Sequence, residues 1–215
     1  MPSEDLRFFD PFAKILRHGK GLPHWEQPGA TYFVTFRLAD AVPVELREKW
    51  VEERAIWLRV NRKPWSAEVE REYHQRFSQQ FDQWLDAGHG ACVLRDAKCR
   101  ECVVATLGHS HDRQYWLHAW VVMPNHAHVL FSLHPAASLE GEIGAWKSVS
   151  ARRINRLLGR SGALWQEDYF DRLIRDEDHL ANCVRYIRRN PDKAHLREGE
   201  YACFESEFAT EMTKE

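Results

Sequence analysis

Two apolar runs, Tyr115–Val122 and His126–Leu133, stand on either side of a break at Met123-Pro124-Asn125. Their length and their β-branched and aromatic residues predict two strands joined by a turn. Residues 31–38 have the same character and predict an earlier strand. Elsewhere the period is helical. Leu46, Trp50 and Ile56 recur among charges over 44–59 behind Pro43, and Ser66 is suited to cap a helix over 67–86 that Gly88-His-Gly90 closes. Helical spacing returns over 96–107 and over 140–158, where Ile143, Trp146, Val149, Ile154 and Leu158 share an apolar face. Residues 176–189 open with acids and stop short of Pro191, which predicts a helix ending before the proline. Residues 164–174 read as partly extended, and 1–28 show no period. The mixture predicts an α+β fold with an antiparallel sheet covered by helices on one side.

Composition narrows the class. A hydrophobic fraction of 44% over 215 residues supports a substantial core, and no apolar run approaches the roughly 20 residues of a membrane span. The amino terminus lacks the basic-then-apolar order of a secretory signal, so a soluble, cytoplasmic protein with no membrane partner is expected. Five scattered cysteines argue against a disulfide framework. Cys99 and Cys102, with His109 and His111 downstream, suggest zinc, but their helical spacing favours thiols packed on a helix. The net charge of −2 conceals an asymmetry: residues 147–197 hold 12 Lys+Arg against 7 Asp+Glu, a local +5, while the rest carries −7. Phosphate binding follows local cation placement rather than the total.

Candidate chemistry sits in the second strand of the pair. His126 and His128 are two apart, so alternation sends both imidazoles to one face, about 6–7 Å apart along the strand. Two such ligands suit a divalent cation but leave its shell incomplete. In the last predicted helix Tyr186 and Asn190 are four apart and share a face. Asn190 offers a carboxamide oxygen and Tyr186 a phenol, a set better matched to Mg2+ or Mn2+ than to structural zinc. Basic residues around Tyr186 are expected to hold phosphates and to lower the phenol's pKa. Taken singly, each feature has an ordinary structural explanation; their joint occurrence is what points to chemistry.

The stretch Val121-Val-Met-Pro-Asn-His-Ala-His-Val resembles the HUH motif (U being hydrophobic) of single-tyrosine transposases. Leu164-Trp-Gln-Glu-Asp-Tyr-Phe-Asp-Arg-Leu-Ile-Arg, followed by Arg185-Tyr-Ile-Arg-Arg-Asn-Pro, resembles the carboxy-terminal signature of the REP-associated branch. Residues 31–38, and Trp146 with Ile154, are similar to that family's first strand and middle helix, so the likeness spans about 24–197. It implies a ferredoxin-like α/β sandwich: an arm over 1–28, a catalytic domain over 29–197 with a helical insertion near 44–90, and a tail over 198–215. It also implies a metal-dependent enzyme that cuts and rejoins single-stranded DNA beside hairpins through a 5′-phosphotyrosine. His126 and His128 would be metal ligands, Tyr186 the nucleophile, and Asn190 would stand where relatives carry a polar third ligand. Tyr169 and Tyr201 are rival nucleophiles.

For DNA, Lys147, Arg152, Arg153 and Arg156 share one predicted helix, and Arg185, Arg188 and Arg189 surround Tyr186. Arg17, His18, Lys20, His24 and Trp25 in the arm are further candidates. Trp50, Trp57, Trp65 and Trp84 in the insertion are expected to build core rather than stack on bases. The insertion itself is open between a lid, a dimer surface and a hairpin contact, and either a monomer or a homodimer is compatible. Two other readings stand beside the transposase: a DNA-binding protein without strand transfer, and a metal phosphoesterase that uses water.

Overall fold

Five antiparallel strands in the order β6-β3-β5-β4-β7 form the centre of the computed structural model, which describes residues 6–18, 24–62 and 65–214. They are β3 (Thr31–Arg37), β4 (Tyr115–Val122), β5 (His126–Leu133), β6 (Phe170–Leu173) and β7 (Ala202–Glu205). A separate two-stranded ribbon, β1 (Leu16–His18) with β2 (His24–Glu26), lies in the arm that sequence reading left irregular. The strand pair 115–133 forms as predicted. β7 was not foreseen: four residues of the expected tail extend the sheet beside β4.

Helices cover both faces of the sheet, not one. On β5, Ala127, Val129, Phe131 and Leu133 point into a core shared with α3 (Gln79–Asp86), α4 (Ala97–His109) and α5 (Leu139–Leu157). Leu130 points to the opposite core with Ile174, Leu180, Val184 and Ile187 on and before α6 (Glu177–Lys193). Every residue of β5 is therefore buried, which is why its pattern reads as nearly continuous apolar. On β4 a register shift between Leu117 and Ala119 puts Leu117 on the α5 side while Ala119 and Val121 face α6.

The insertion is a helical hairpin, α1 (Val44–Val60) against α2 (Ala67–Tyr73) and α3, with one wide π turn at His74–Ser78 between the latter two. Tyr73, Phe77, Phe81 and Leu85 are spaced by four, a spacing that drifts about 40° per step around a 3.6-residue helix. The wide turn takes up that drift and keeps the stripe on the core. Trp57 and Phe77 are buried, and Trp50, Trp57, Trp65, Tyr73, Phe77 and Phe81 form a chain of ring contacts, so these tryptophans do pack. Gly90 joins the insertion to the body at φ +82°, where any Cβ would collide with the Asp40 carbonyl.

His24 pins the arm to the sheet. Its ring stacks on Tyr169 at 4.0 Å, Nε2 lies 2.8 Å from Asp168, and Nδ1 bonds Asp171. Burial pushes its pKa down, but the hydrogen bond and charge of Asp171, with those of Asp168, outweigh burial and raise it above 6.5. A folded-state pKa above the unfolded one contributes stability that is complete below pH 6.5 and is lost as pH rises through the raised value. Urea unfolding of wild type and His24→Gln is therefore expected to differ more at pH 6 than at pH 9; a gap that widens with pH would contradict the ion pair. Lys20, the remaining cation expected of the arm, lies outside the described residues.

Candidate active site

Parity on β5 decides the location. His126 and His128 are in step with Leu130, so they face α6, and register pairs them with Arg37 and Thr35 on β3. Both rings are buried, 1% and 2% exposed, with their Nε2 atoms 3.1 Å apart. Asn125, in the turn before β5, donates its amide nitrogen to the carbonyls of Leu85 (3.1 Å) and His89 (3.4 Å). Its oxygen therefore faces His126 Nδ1 at 2.7 Å and can only accept, leaving the lone pair of His126 on Nε2. His128 Nδ1 is engaged by Thr35 Oγ1 at 2.7 Å, which turns its Nε2 the same way. Burial, then the Arg37 charge, depresses the pKa of His126 to about 3. Burial, then His126 and Lys193, holds His128 well below 6.5. Both imidazoles are thus neutral at pH 7, the form that ligates cations.

α6 brings the phenol to this pair. The Tyr186 ring meets His128 edge-on at 5.2 Å and Phe33 at 5.7 Å between centroids, while Lys193 Nζ stands 4.8 Å over its face. The helix does not stop before Pro191: it continues to Lys193, with Asn190 and Pro191 buried inside it. Only that last turn places Lys193 on the stripe of Tyr186 and Asn190, at spacings of four and seven. Tertiary burial overrides the usual proline stop. Asn190 is 1% exposed, and its Oδ1 has no hydrogen-bond partner among the described residues.

The electrostatics at Tyr186 differ from expectation. Flanking cations do not lower its pKa; burial raises it, and the Asp82 and Asp86 carboxylates of α3 add to the rise. Asn190 nearby partly offsets the rise. Burial in turn raises Asp82 to about 6. Sequence reading missed Asp82, Asp86 and Lys193. The apolar stripe Phe77-Phe81-Leu85 placed Asp82 beside the buried face, but nothing local says that this flank meets α6.

The rival phenols lie elsewhere. Tyr169 packs in the α5-side core, opposite the histidines, with its hydroxyl buried. Tyr201 packs half-buried against the α6-side core. The predicted DNA cations divide between two faces. On α5, Lys147 donates to the Glu167 carbonyl at 2.6 Å and Arg152 to Ser148 at 3.4 Å, while Arg153 and Arg156 are exposed without hydrogen-bond or ion-pair partners among the described residues. On α6, Arg188 forks onto Glu205 of β7 at 2.9 and 2.6 Å, Arg185 bonds Asn182, and Arg189 is exposed. The +5 segment is therefore not one patch: the α5 cations sit across the sheet from Tyr186. Cys99 is buried, and Cys102 donates to the Lys98 carbonyl one turn back on α4.

The residues present fit a divalent cation. Ligands about 2.1 Å from one ion and at right angles are about 3 Å apart, close to the separation of the two Nε2 atoms. The Asn190 oxygen, buried without a hydrogen-bond partner among the described residues, is a hard atom of the kind magnesium and manganese prefer. No three His, Cys, Asp or Glu converge among the described residues.

Residues 97–190 match the family described as "Transposase IS200 like", a segment from the first residue of α4 to Asn190 that contains both histidines and Tyr186. That segment is similar to IS200-like transposases. The likeness supports a DNA-acting, nuclease-like function. The matched segment excludes β3 and the whole insertion. No curated protein matches the chain. Among solved structures, "Structure of the REP associates tyrosine transposase bound to a REP hairpin" is 18% identical, covering 84% of this chain and 77% of that one at a TM-score of 0.45. A crystal structure described as a transposase from Deinococcus radiodurans is 13% identical, covering 86% and 98% at a TM-score of 0.32. No helix among the described residues is long and apolar enough to cross a membrane.

Proposed function

We propose that this protein nicks and rejoins single-stranded DNA beside hairpins by attack of Tyr186 on a backbone phosphate. The reading rests on one juxtaposition: neutral His126 and His128 with convergent Nε2 atoms, and the Tyr186 ring against His128 on the same face of the sheet. His126, His128 and Asn190 would hold Mg2+ or Mn2+, whose charge would draw density from a phosphate oxygen and so favour attack at phosphorus. Tyr186 supplies the nucleophile. Its oxygen bonds to phosphorus, the bond from phosphorus to the 3′ oxygen breaks, and reversal by another 3′ hydroxyl rejoins strands. Lys193, above the phenol ring, adds positive charge where the phosphate must approach. Arg189, three residues after Tyr186 on α6, is exposed, and Arg153 and Arg156 would track strand that passes to the α5 side. The strand order, with β5 between β3 and β4 and β6 on the far side of β3, supports the ferredoxin-like reading.

The test is to map the covalent link. The protein is incubated with Mn2+ and a pool of 3′-labelled single strands, each holding an imperfect hairpin between randomised flanks. The denaturant-resistant adduct is then digested and the labelled peptide sequenced. The label is expected on Tyr186 and is expected to disappear with EDTA. A link at Tyr169 or Tyr201 overturns the nucleophile; cleavage without an adduct supports a water-using phosphoesterase; a mobility shift with neither supports the binding-only protein.

A further inference from the structure

β3 adds a cation to the row that holds the imidazoles. Register sets Arg37 opposite His126, as it sets Thr35 opposite His128, and residues paired across two strands point to the same face. Arg37 is therefore the cross-strand neighbour of His126 on the α6 side of the sheet. On the other flank of β3, Leu38 bridges Trp165, and Gln166 donates its backbone N–H to the Arg37 carbonyl at 2.9 Å. His126, Arg37 and Gln166 thus form one row across β5, β3 and the extended chain before β6.

Two contacts fix the guanidinium. Its Nε donates to Gln166 Oε1 at 2.6 Å, and its central carbon lies 4.4 Å from the centre of the Phe81 ring of α3. Nη1 and Nη2 have no hydrogen-bond or ion-pair partner among the described residues, and Arg37 is only half-buried. Asp168, whose charge reaches it, is bonded to His24. Because a guanidinium only donates, Gln166 must turn its oxygen to Arg37, which leaves Gln166 Nε2 buried without a partner among the described residues. A partly desolvated charge without a counter-ion is unfavourable. A divalent ion on the adjacent imidazoles would add a second positive charge beside it, and an anion between the two offsets both.

We propose that Arg37 binds the DNA phosphate that Tyr186 attacks, its Nη1 and Nη2 donating to the oxygens that bridge to neither sugar; this rests on the reading of Tyr186 as nucleophile. The planar, permanently charged fork matches phosphate oxygens, and Gln166 with Phe81 holds it ready before substrate arrives. As the tyrosine oxygen adds to phosphorus, negative charge gathers on those oxygens, where the fixed guanidinium offsets it. β3 lies outside the segment that matches the transposase family, so that likeness gives Arg37 no part.

The experiment uses the full chain and the same hairpin pool. It measures single-turnover adduct formation with Mn2+, melting with and without Mn2+, and mobility shift in EDTA over a range of KCl. Arg37→Gln is expected to form adduct on the order of 100-fold more slowly. Its melting temperature should still rise with Mn2+, because a positive charge beside the ion has been removed. In EDTA its slope of log affinity against log salt should be lower by about 0.7, the share of one phosphate contact on a single strand. Gln166→Glu, which hands Arg37 a carboxylate, should match Arg37→Gln in rate and in salt slope; a merely structural pair would tolerate the change. A wild-type rate or salt slope in either variant, with the adduct still absent in Tyr186→Phe, overturns the role of Arg37 alone. So does loss of the Mn2+ effect in Arg37→Gln, which would make its part structural. No adduct in wild type, or an adduct that survives in Tyr186→Phe, overturns the nucleophile and the Arg37 contact together.

Discussion

His128→Ala is expected to abolish both strand cleavage and any stabilisation of the protein by Mn2+. Its Nε2 lies 3.1 Å from that of His126, and the ring also forms the surface against which Tyr186 rests at 5.2 Å. One substitution would thus remove a proposed metal ligand and loosen the proposed nucleophile. In wild type, free Mn2+ at 100 times its dissociation constant should stabilise the fold by about 2.7 kcal/mol, visible as a higher melting temperature. The variant should show no rise, and His126→Ala should behave alike. Without metal, His128→Ala should itself lose about 1–3 kcal/mol, because the Thr35 hydroxyl is left partnerless and Phe33 loses a stacked ring. A variant that still melts higher with Mn2+, or still cuts DNA, would remove His128 from the site.

Trp146→Ala is expected to cost about 3–5 kcal/mol, a large share of the roughly 5–15 kcal/mol that holds a domain together. The side chain is 2% exposed and lies edge-on to Tyr115 and Phe131, with centroids 5.1 and 5.0 Å away. Its Nε1 donates to the Tyr115 hydroxyl at 2.9 Å, which in turn donates to the Leu107 carbonyl of α4 at 2.7 Å. Removing the indole opens a cavity between helix and sheet and breaks a hydrogen-bond chain that links α5, β4 and α4. Thermal and urea unfolding should both register it, with a melting temperature lower by roughly 10 °C. A loss under about 1 kcal/mol would mean that this core repacks freely. Because α5 lies across the sheet from Tyr186, adduct formation well below the melting temperature should survive.

Much of the candidate site was legible in the sequence because its parts are local. Alternation put His126 and His128 on one face, and a spacing of four put Tyr186 and Asn190 on one stripe. The structure brings those two local pairs together, with Tyr186 against His128. Where reading failed, a distant contact had overruled a local rule. Pro191 looked like a helix stop, yet burial carries α6 one turn further and delivers Lys193 to the phenol. Residues 202–205 looked like tail, yet the open edge of β4 recruits them as a strand. Helices were expected on one side of the sheet, yet the two that carry the basic segment pack on opposite faces.

Strand and helix periods, the pairing of β4 with β5 and the side on which each imidazole falls follow from the sequence alone, since each depends on residues a few places apart. Which helix covers that side followed only from folding. α3 and α6 pack into the cores on opposite faces of one sheet, and no periodicity within either helix encodes its neighbour.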